Sequence, residues 1–154
     1  MAIIAVTRLH VRSIRFLPRL YWDASKIKRS LGESPGFLGG KLLVDRRHTY
    51  WTMTAWKDLN SMQAFRNNDV HGAIAPKVYQ WCDEASVVHW ETESGQLPGW
   101  EEGHRRMTES GKRTPLRFQS ADHKAGRFRK PYWTKSREES LLPRRTETQT
   151  PMAA

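Results

Sequence analysis

The sequence has only one cysteine, Cys82, among its 154 residues. One thiol cannot form a disulfide within the chain, a cysteine-based zinc site or a C-x-x-C redox pair. Long apolar runs are also missing, since the run over residues 2–6 is too short for a signal-peptide core or a membrane span. These features exclude disulfide scaffolds and zinc fingers, and they predict a cytoplasmic protein with no membrane partner.

Acidic residues are few compared with basic ones. The chain has 26 Lys and Arg against 16 Asp and Glu, which gives a formal net charge of +10. This balance permits an anionic partner without identifying one. The 38% of apolar residues, with seven Trp, can form one compact core. A mean hydropathy of −0.74 is nevertheless low for a chain that is packed along its whole length.

The C-terminal part has the composition of a tail. Residues 95–154 carry thirteen basic residues against seven acidic ones, and large apolar residues become sparse after residue 120. Such a segment buries too little apolar surface to offset the entropy cost of ordering. We therefore predict a domain over residues 1–94, a helix and extension packed on it over 95–119, and a basic, largely disordered tail over 120–154. Deletion of that tail should leave the domain folded.

Hydrophobic periodicity predicts the element order βαββαβ. Strands are predicted from β-branched or alternating runs at residues 2–11, 37–45, 49–56 and 86–92. Helices are predicted from the apolar spacing after Leu17 and after the candidate caps Asp58 and Asp69. This is the order of a ferredoxin-like α+β fold, whose antiparallel sheet carries its helices on one face. We expect the other face to be open, so that a homodimer forms through it or a ligand is enclosed there.

Several short motifs resemble a known superfamily. They are Pro35-Gly36-Phe37-Leu38-Gly39, Thr54-Ala55-Trp56-Lys57-Asp58, Ala64-Phe65, His71, and the Gly-x-x-Pro turn at residues 95–98. Their order resembles that of the dimeric α/β-barrel superfamily, which includes antibiotic-biosynthesis monooxygenases, haem-degrading monooxygenases and spheroidene monooxygenase. The most similar pattern is that of a bacterial family of domains of unknown function. The resemblance covers about residues 3–120 and implies a dimeric α/β barrel with a C-terminal extension.

The resemblance implies an oxygenase that acts on an apolar or aromatic small molecule, either with haem or without a cofactor. His71 is similar in position to a histidine of spheroidene monooxygenase, a haem protein. This makes His71 the candidate catalytic base and the candidate ligand of haem iron. The alternative is that His71 caps a turn or makes a local hydrogen bond.

Alternation along the third strand indicates the candidate substrate-binding residues. One face of this strand carries Tyr50, Thr52, Thr54 and Trp56. If this is the open, concave face of the sheet, it forms an aromatic wall with hydroxyl donors, suited to a flat apolar ligand. The alternative is an ordinary dimer core. Arg8 in the first strand is either an anchor for the ligand or exposed to solvent, because a buried guanidinium is costly without an anion.

Basic and aromatic residues are interleaved in the C-terminal part, a combination that binds single-stranded nucleic acid in some proteins. No recognised nucleic-acid motif accompanies them, so we favour a solvated tail. The leading hypothesis is thus a monooxygenase-like enzyme with a small-molecule substrate. The alternatives are a non-catalytic small-molecule binder and a basic module associated with nucleic acid.

Overall fold

The computed structural model describes residues 1–132 and 137–144. Its frame is a six-stranded antiparallel sheet with the strand order β5-β4-β1-β3-β2-β6. The strands are β1 (Ala2–Val11), β2 (Phe37–Asp45), β3 (Thr49–Trp56), β4 (Cys82–Thr92), β5 (Lys112–Arg113) and β6 (Glu138–Leu141). The helices are α1 (Leu17–Gly32), α2 (Leu59–Arg66), α3 (Asp69–Trp81), α4 (Trp100–Ser110) and α5 (Ala121–Ala125).

The first 92 residues confirm the predicted ferredoxin-like order, with the second helical segment divided into α2 and α3. Local capping explains the division. Asp58 Oδ1 accepts a hydrogen bond of 2.7 Å from the Ser61 N–H and starts α2. Asn68, and not the predicted Asp69, caps α3 by accepting a hydrogen bond of 2.8 Å from the His71 N–H. Among the described residues, no helix has both the length and the apolar character of a membrane span.

One face of the sheet carries α1, α2 and α3. Two apolar clusters fill this helix-bearing face, one around Trp56 with Leu31 and Met62, the other around Tyr50 with Leu20. The strand residues Tyr50, Thr52, Thr54 and Trp56 therefore lie beneath helices. The expectation that they line an open face is wrong, because alternation shows which residues share a face but not which face receives the helices.

The opposite face, predicted to be open, is covered by α4 of the same chain. Trp51 and Met53 on this face are fully buried in a cluster with Trp100 and Met107. Gly103 brings α4 close to the sheet, since a Cβ at this position would lie 3.0 Å from Met53 Cε. The sheet therefore needs no second chain to bury this face. A homodimer stays a prediction, but the sheet face through which we expected it to form is covered by α4.

The segment predicted as a disordered tail contributes two elements to the fold. Strand β6 pairs with β2, placing Leu141 opposite Gly40, and Leu141 is buried in the cluster around Trp56. Helix α5 buries His123. The expectation of disorder is wrong for residues 120–132 and 137–144, because an available sheet edge supplies backbone hydrogen bonds that composition does not reveal. The remaining tail residues, 133–136 and 145–154, lie outside the described residues.

Candidate functional site

The middle of the helix-bearing face is only partly covered by the helices. Thr7 and Thr52 face each other across the two central strands, and both are half-buried, as is Thr54. The neighbouring pair Val6 and Met53, which points to the opposite face, is 0% exposed. The difference shows that α1–α3 cover these threonines less completely than the opposite face of the sheet is covered. We call the surface formed by Thr7, Thr52 and Thr54 the central groove.

Helix α1 carries a buried carboxyl group on its inner face. Asp23 follows Leu20 by three residues and precedes Ile27 by four, so the three share one side of the helix. Leu20 and Ile27 pack in the apolar cluster around Tyr50. Asp23 is 3% exposed, and its Oδ2 has no hydrogen-bond partner among the described residues. Sequence reasoning missed Asp23 because an aspartate in an amphipathic helix looks like one of its solvent-facing residues.

A cavity of about 650 Å³ opens at the β2–β3 turn, on the helix-bearing face. Leu17, Leu42 and Val44 form its apolar wall. Besides two tyrosines, the other lining residues are charged residues and one histidine: Asp45, Arg46, Arg47, His48, Arg137, Glu138 and Glu139. Leu42 pairs with Thr52 across β2 and β3, so the cavity reaches the edge of the central groove. Its volume lies in the range of about 300–1,000 Å³ that is usual for small-molecule sites. We call this space the hairpin cavity.

Two tyrosines face each other in the wall of the hairpin cavity. The Tyr50 hydroxyl donates a hydrogen bond of 3.2 Å to the Tyr21 oxygen, and the rings meet edge to face at 6.2 Å. Burial, together with the hydrogen bond that Tyr50 donates to Tyr21, raises the pKa of Tyr50 well above its usual range. Tyr50 therefore stays a neutral phenol at physiological pH. Because Tyr21 accepts this hydrogen bond, its own O–H can donate to a ligand.

The rim of the hairpin cavity is a strained basic turn over Arg46–His48. Arg47 and His48 have φ angles of 64° and 58°, in the left-handed region that costs a non-glycine residue about 1 kcal/mol or more. Asp45 Oδ1 holds the turn by accepting a hydrogen bond of 2.6 Å from the Arg46 N–H. The Arg46 guanidinium lies 4.1 Å from the ring centroid of Tyr132, which comes from the predicted tail.

Trp56 lies in the apolar core and not in the wall of the cavity. Its ring packs between Phe37 and Phe65, with ring centroids 5.4 Å away in each case. Its indole Nε1–H donates a hydrogen bond of 3.0 Å to Thr54 Oγ1. The Thr54 hydroxyl is therefore partly used inside the protein, and Trp56 acts mainly as a support for the end of the groove.

His71 lies beyond Trp56, in the first turn of α3. Its ring meets the edge of Phe65 at 5.3 Å, and Phe65 separates it from Trp56. Burial lowers the pKa of His71, against an opposing hydrogen bond to the backbone of Arg66, so the imidazole is neutral at physiological pH. It has the protonation state of a base, but it does not line the hairpin cavity.

The surroundings of His71 do not fit a haem. An axial histidine needs a nitrogen directed into a space wide enough for the porphyrin. His71 lines neither the hairpin cavity nor the cavity of about 770 Å³ beside α4, and its ring rests on Phe65. In the described part of the chain, no group of three or more His, Cys, Asp or Glu could hold a metal ion.

Arg8 lies on the opposite face of the sheet from the central groove. It is buried in an ion pair with Glu84, and its guanidinium lies 5.5 Å from the ring centroid of Trp51. Ser120 completes the arrangement by donating a hydrogen bond of 2.8 Å to Glu84 Oε1. The anion that a buried Arg8 requires is thus supplied by the protein itself. Arg8 is not exposed, and the fold does not bring it together with Tyr50, Thr52 and Thr54.

Some of the basic residues of the C-terminal part are engaged within the fold. Arg127 and Arg129 form ion pairs with Asp122 at 3.2 and 2.7 Å. Arg113 donates a hydrogen bond of 2.7 Å to the backbone carbonyl of His123. These contacts reduce the cationic groups that are free to bind phosphates. Nucleic-acid binding through this segment stays the less favoured alternative.

A protein-family model described as "Domain of unknown function (DUF3291)" matches residues 23–140. The chain belongs to this family. The match to the DUF3291 family begins at Asp23 and extends into β6. It therefore includes α4 and most of the edge strand supplied by the predicted tail. Among curated proteins, none matches the sequence.

Solved structures share the fold at low sequence identity. A conserved protein from Methanosarcina mazei Go1 is 14% identical, with a TM-score of 0.56 over 60% of this chain and 94% of that one. SnoaB from Streptomyces nogalater, described as a cofactor-independent oxygenase, is 15% identical, with a TM-score of 0.53 over 64% and 98%. A putative antibiotic biosynthesis monooxygenase from Nitrosomonas europaea is 12% identical, with a TM-score of 0.54 over 60% and 90%.

These likenesses confirm the resemblance to antibiotic-biosynthesis monooxygenases at the level of the fold. The solved structures match over almost their whole length, whereas more than a third of this chain lies outside each match. This DUF3291 chain thus adds substantial sequence to the shared ferredoxin-like unit. The reaction of the solved proteins does not follow for this chain from the fold alone.

Proposed function

We propose that the protein is a monooxygenase-like enzyme that binds an apolar or aromatic small molecule in the hairpin cavity and the adjoining central groove. The observation that carries the proposal is the hairpin cavity itself, where three apolar side chains and the hydrogen-bonded phenols of Tyr21 and Tyr50 share the lining with a charged rim. Apolar walls with a few placed hydrogen-bonding groups are typical of small-molecule sites. The fold shared with a cofactor-independent oxygenase supports the reaction class.

The phenols suit an oxygenation that proceeds through an enolate. A polycyclic substrate with an acidified C–H loses its proton to solvent water, and the resulting carbanion reduces O₂ to a peroxide anion. This anion takes a proton back from solvent and becomes a hydroperoxide. Loss of water then leaves a carbonyl, so one oxygen atom enters the product and the other enters water. The O–H of Tyr21 would donate to the enolate oxygen, while Tyr50 orients Tyr21. Donors placed where negative charge develops lower the barrier more than they aid ground-state binding.

The test uses 1,8-dihydroxyanthrone, whose central CH₂ group is acidified by the flanking rings. We expect the protein to accelerate its oxidation to the anthraquinone, with one O₂ consumed and one water formed per turnover. Tyr21→Phe should lower the rate about 100-fold, the scale of losing one donor to a developing oxyanion. Oxygen uptake measured with an electrode checks both results.

Tyr79→Phe is the matched control, because Tyr79 lies on α3 and lines neither the hairpin cavity nor the cavity beside α4. Its rate should stay within about twofold of the wild type. The proposal fails if the wild-type protein oxidises the anthrone no faster than buffer does. It also fails if Tyr21→Phe and Tyr79→Phe have the same rate.

A second prediction concerns haem. Because the surroundings of His71 do not fit a porphyrin, titration with haemin should give the same absorption spectrum for the wild type and His71→Ala. A sharp Soret band that appears in the wild type and is lost in His71→Ala would contradict this expectation. It would restore His71 as the iron ligand.

A further inference from the structure

Three arginines line the hairpin cavity without an acidic partner. Arg46 and Arg47 belong to the β2–β3 turn, and Arg137 directly precedes β6. All three are exposed, so they lie on the solvent side of the cavity. None of them forms an ion pair among the described residues. We call Arg46, Arg47 and Arg137 the arginine cluster.

The acidic side chains that line the same cavity are engaged elsewhere. Glu139 accepts a hydrogen bond of 2.7 Å from Lys28 Nζ, and Glu138 lies 3.9 Å from Lys41 Nζ. Asp45 accepts a hydrogen bond of 2.6 Å from the backbone N–H of the next residue. The positive charge of the arginine cluster is therefore not balanced by ion pairs within the cavity. Like charges gathered at one place repel each other, and a bound anion relieves this repulsion.

The turn holds two of these arginines in a defined arrangement. The Arg46 guanidinium lies 4.1 Å from the ring centroid of Tyr132, and a stacked guanidinium keeps its N–H donors at its edge. Arg47 has a φ angle of 64°, at a turn position where glycine or asparagine is usual. Backbone strain of this kind is concentrated at functional sites, where the side chain is worth its cost.

The same cavity joins the arginine cluster to apolar surface. Leu17, Leu42 and Val44 form the apolar wall, and the Tyr21 hydroxyl lies beside them. Guanidinium groups bind carboxylates and phosphates through paired N–H donors. A ligand with its apolar part on this wall and an anionic group at the arginine cluster would therefore satisfy both parts of the lining.

We propose that the arginine cluster binds a carboxylate or phosphate group of the ligand, whose apolar part lies in the hairpin cavity. This inference rests on the proposed function and narrows its substrate class to anionic compounds. Arg46 and Arg47 are binding residues in this proposal, and the Tyr21–Tyr50 pair keeps the role given to it above.

The experiment compares three probes that share the naphthalene rings. The anionic probes are 2-naphthoate and 2-naphthyl phosphate, and the neutral probe is 2-naphthamide. Isothermal titration calorimetry measures their binding to the full chain. We expect at least one anionic probe to bind about tenfold more tightly than 2-naphthamide, the scale of one hydrogen bond to a charged group. The tighter of the two anionic probes distinguishes a carboxylate site from a phosphate site.

Arg47→Gln should weaken binding of the preferred anionic probe about tenfold. Binding of 2-naphthamide should stay within about twofold, because the apolar wall is unchanged. Arg66→Gln is the matched control, since Arg66 is an exposed arginine on α2 that lines neither cavity and forms no ion pair among the described residues. It removes the same charge and should change the affinity for the anionic probe less than about twofold.

Thermal unfolding without ligand separates binding from a structural role of Arg47. Asparagine adopts the left-handed backbone region more readily than arginine does. Arg47→Asn should therefore keep or raise Tm while it weakens binding of the anionic probe. A lower Tm with unchanged affinity for the anionic probe would show that Arg47 serves the fold and would overturn the proposal.

The remaining outcomes separate this inference from the proposed function. If the wild type binds none of the three probes, the proposed function fails and this inference fails with it. If it binds all three with equal affinity, the hairpin cavity binds small molecules but the role of the arginine cluster fails. An equal loss of affinity for the anionic probe in Arg47→Gln and Arg66→Gln would also overturn that role, because it would show attraction by net charge alone.

Discussion

Deletion of residues 120–154 is expected to lower the free energy of unfolding by about 3 kcal/mol or more. The deletion removes β6, whose Leu141 is buried against the cluster around Trp56. Loss of one buried leucine side chain alone costs about 2–5 kcal/mol. It also removes α5 and the hydrogen bond from Ser120 to Glu84. Urea unfolding of the full chain and of residues 1–119 measures the difference.

A chain that ends at residue 144 is the control, because it keeps every element from β1 to β6. Its free energy of unfolding should lie within about 0.5 kcal/mol of the full chain. Leu141→Ala in the full chain should reproduce about 2 kcal/mol or more of the loss. Equal stability of residues 1–119 and the full chain would show that the edge strand contributes nothing to the fold.

Glu84→Gln is expected to cost about 3–5 kcal/mol, because it leaves the guanidinium of Arg8 buried without a counter-ion. Arg8 is 3% exposed and Glu84 7%. Replacing both residues, with Arg8→Met and Glu84→Leu, should recover most of the loss, since an apolar pair of similar volume needs no solvation. Glu102→Gln on α4, which breaks only exposed ion pairs, should cost about 0–1 kcal/mol. Urea unfolding at pH 7 distinguishes these variants.

The same pair predicts how stability depends on pH. Burial alone would raise the pKa of Glu84, but the hydrogen bond and charge of Arg8, with Ser120, outweigh it and hold the pKa below its usual range. A carboxyl with a lowered pKa stabilises the folded state above its unfolded pKa of about 4.3, and this contribution disappears as the pH falls through the folded pKa. The wild type should therefore lose more stability than Glu84→Gln between pH 5 and pH 3. Parallel curves for the two proteins would contradict this account.

The predicted order of elements follows from periodicity, and the structure confirms it for β1, β2 and β3 with the predicted bounds. Alternation within a strand, however, only divides the residues between two faces of the sheet. It does not show which of the two faces the helices pack on. Tyr50 and Trp56 were correctly grouped on one face, yet that face lies under the helices. Which face is covered depends on where α1 and α4 pack, and this is a property of distant contacts.

The site was only partly accessible to sequence reasoning. Tyr50 lines the hairpin cavity, and Thr52 and Thr54 form part of the central groove. Trp56 has the aromatic character of a cavity wall but the burial of a core residue, and no pattern within one strand separates the two roles. Asp23 leaves no local signal, because its missing partner becomes visible only when the whole surrounding of α1 is known.

Helix α4 covers one face of the sheet within the same chain, so the burial of this face does not depend on the protein concentration. A face that is buried by a second chain becomes exposed on dilution, because association follows mass action. Here the cover is tied to β4 by residues 93–99, and its effective concentration is set by the length of that connection. Helix α4 therefore covers Trp51 and Met53 in a first-order process. The free energy of this covering does not depend on the protein concentration.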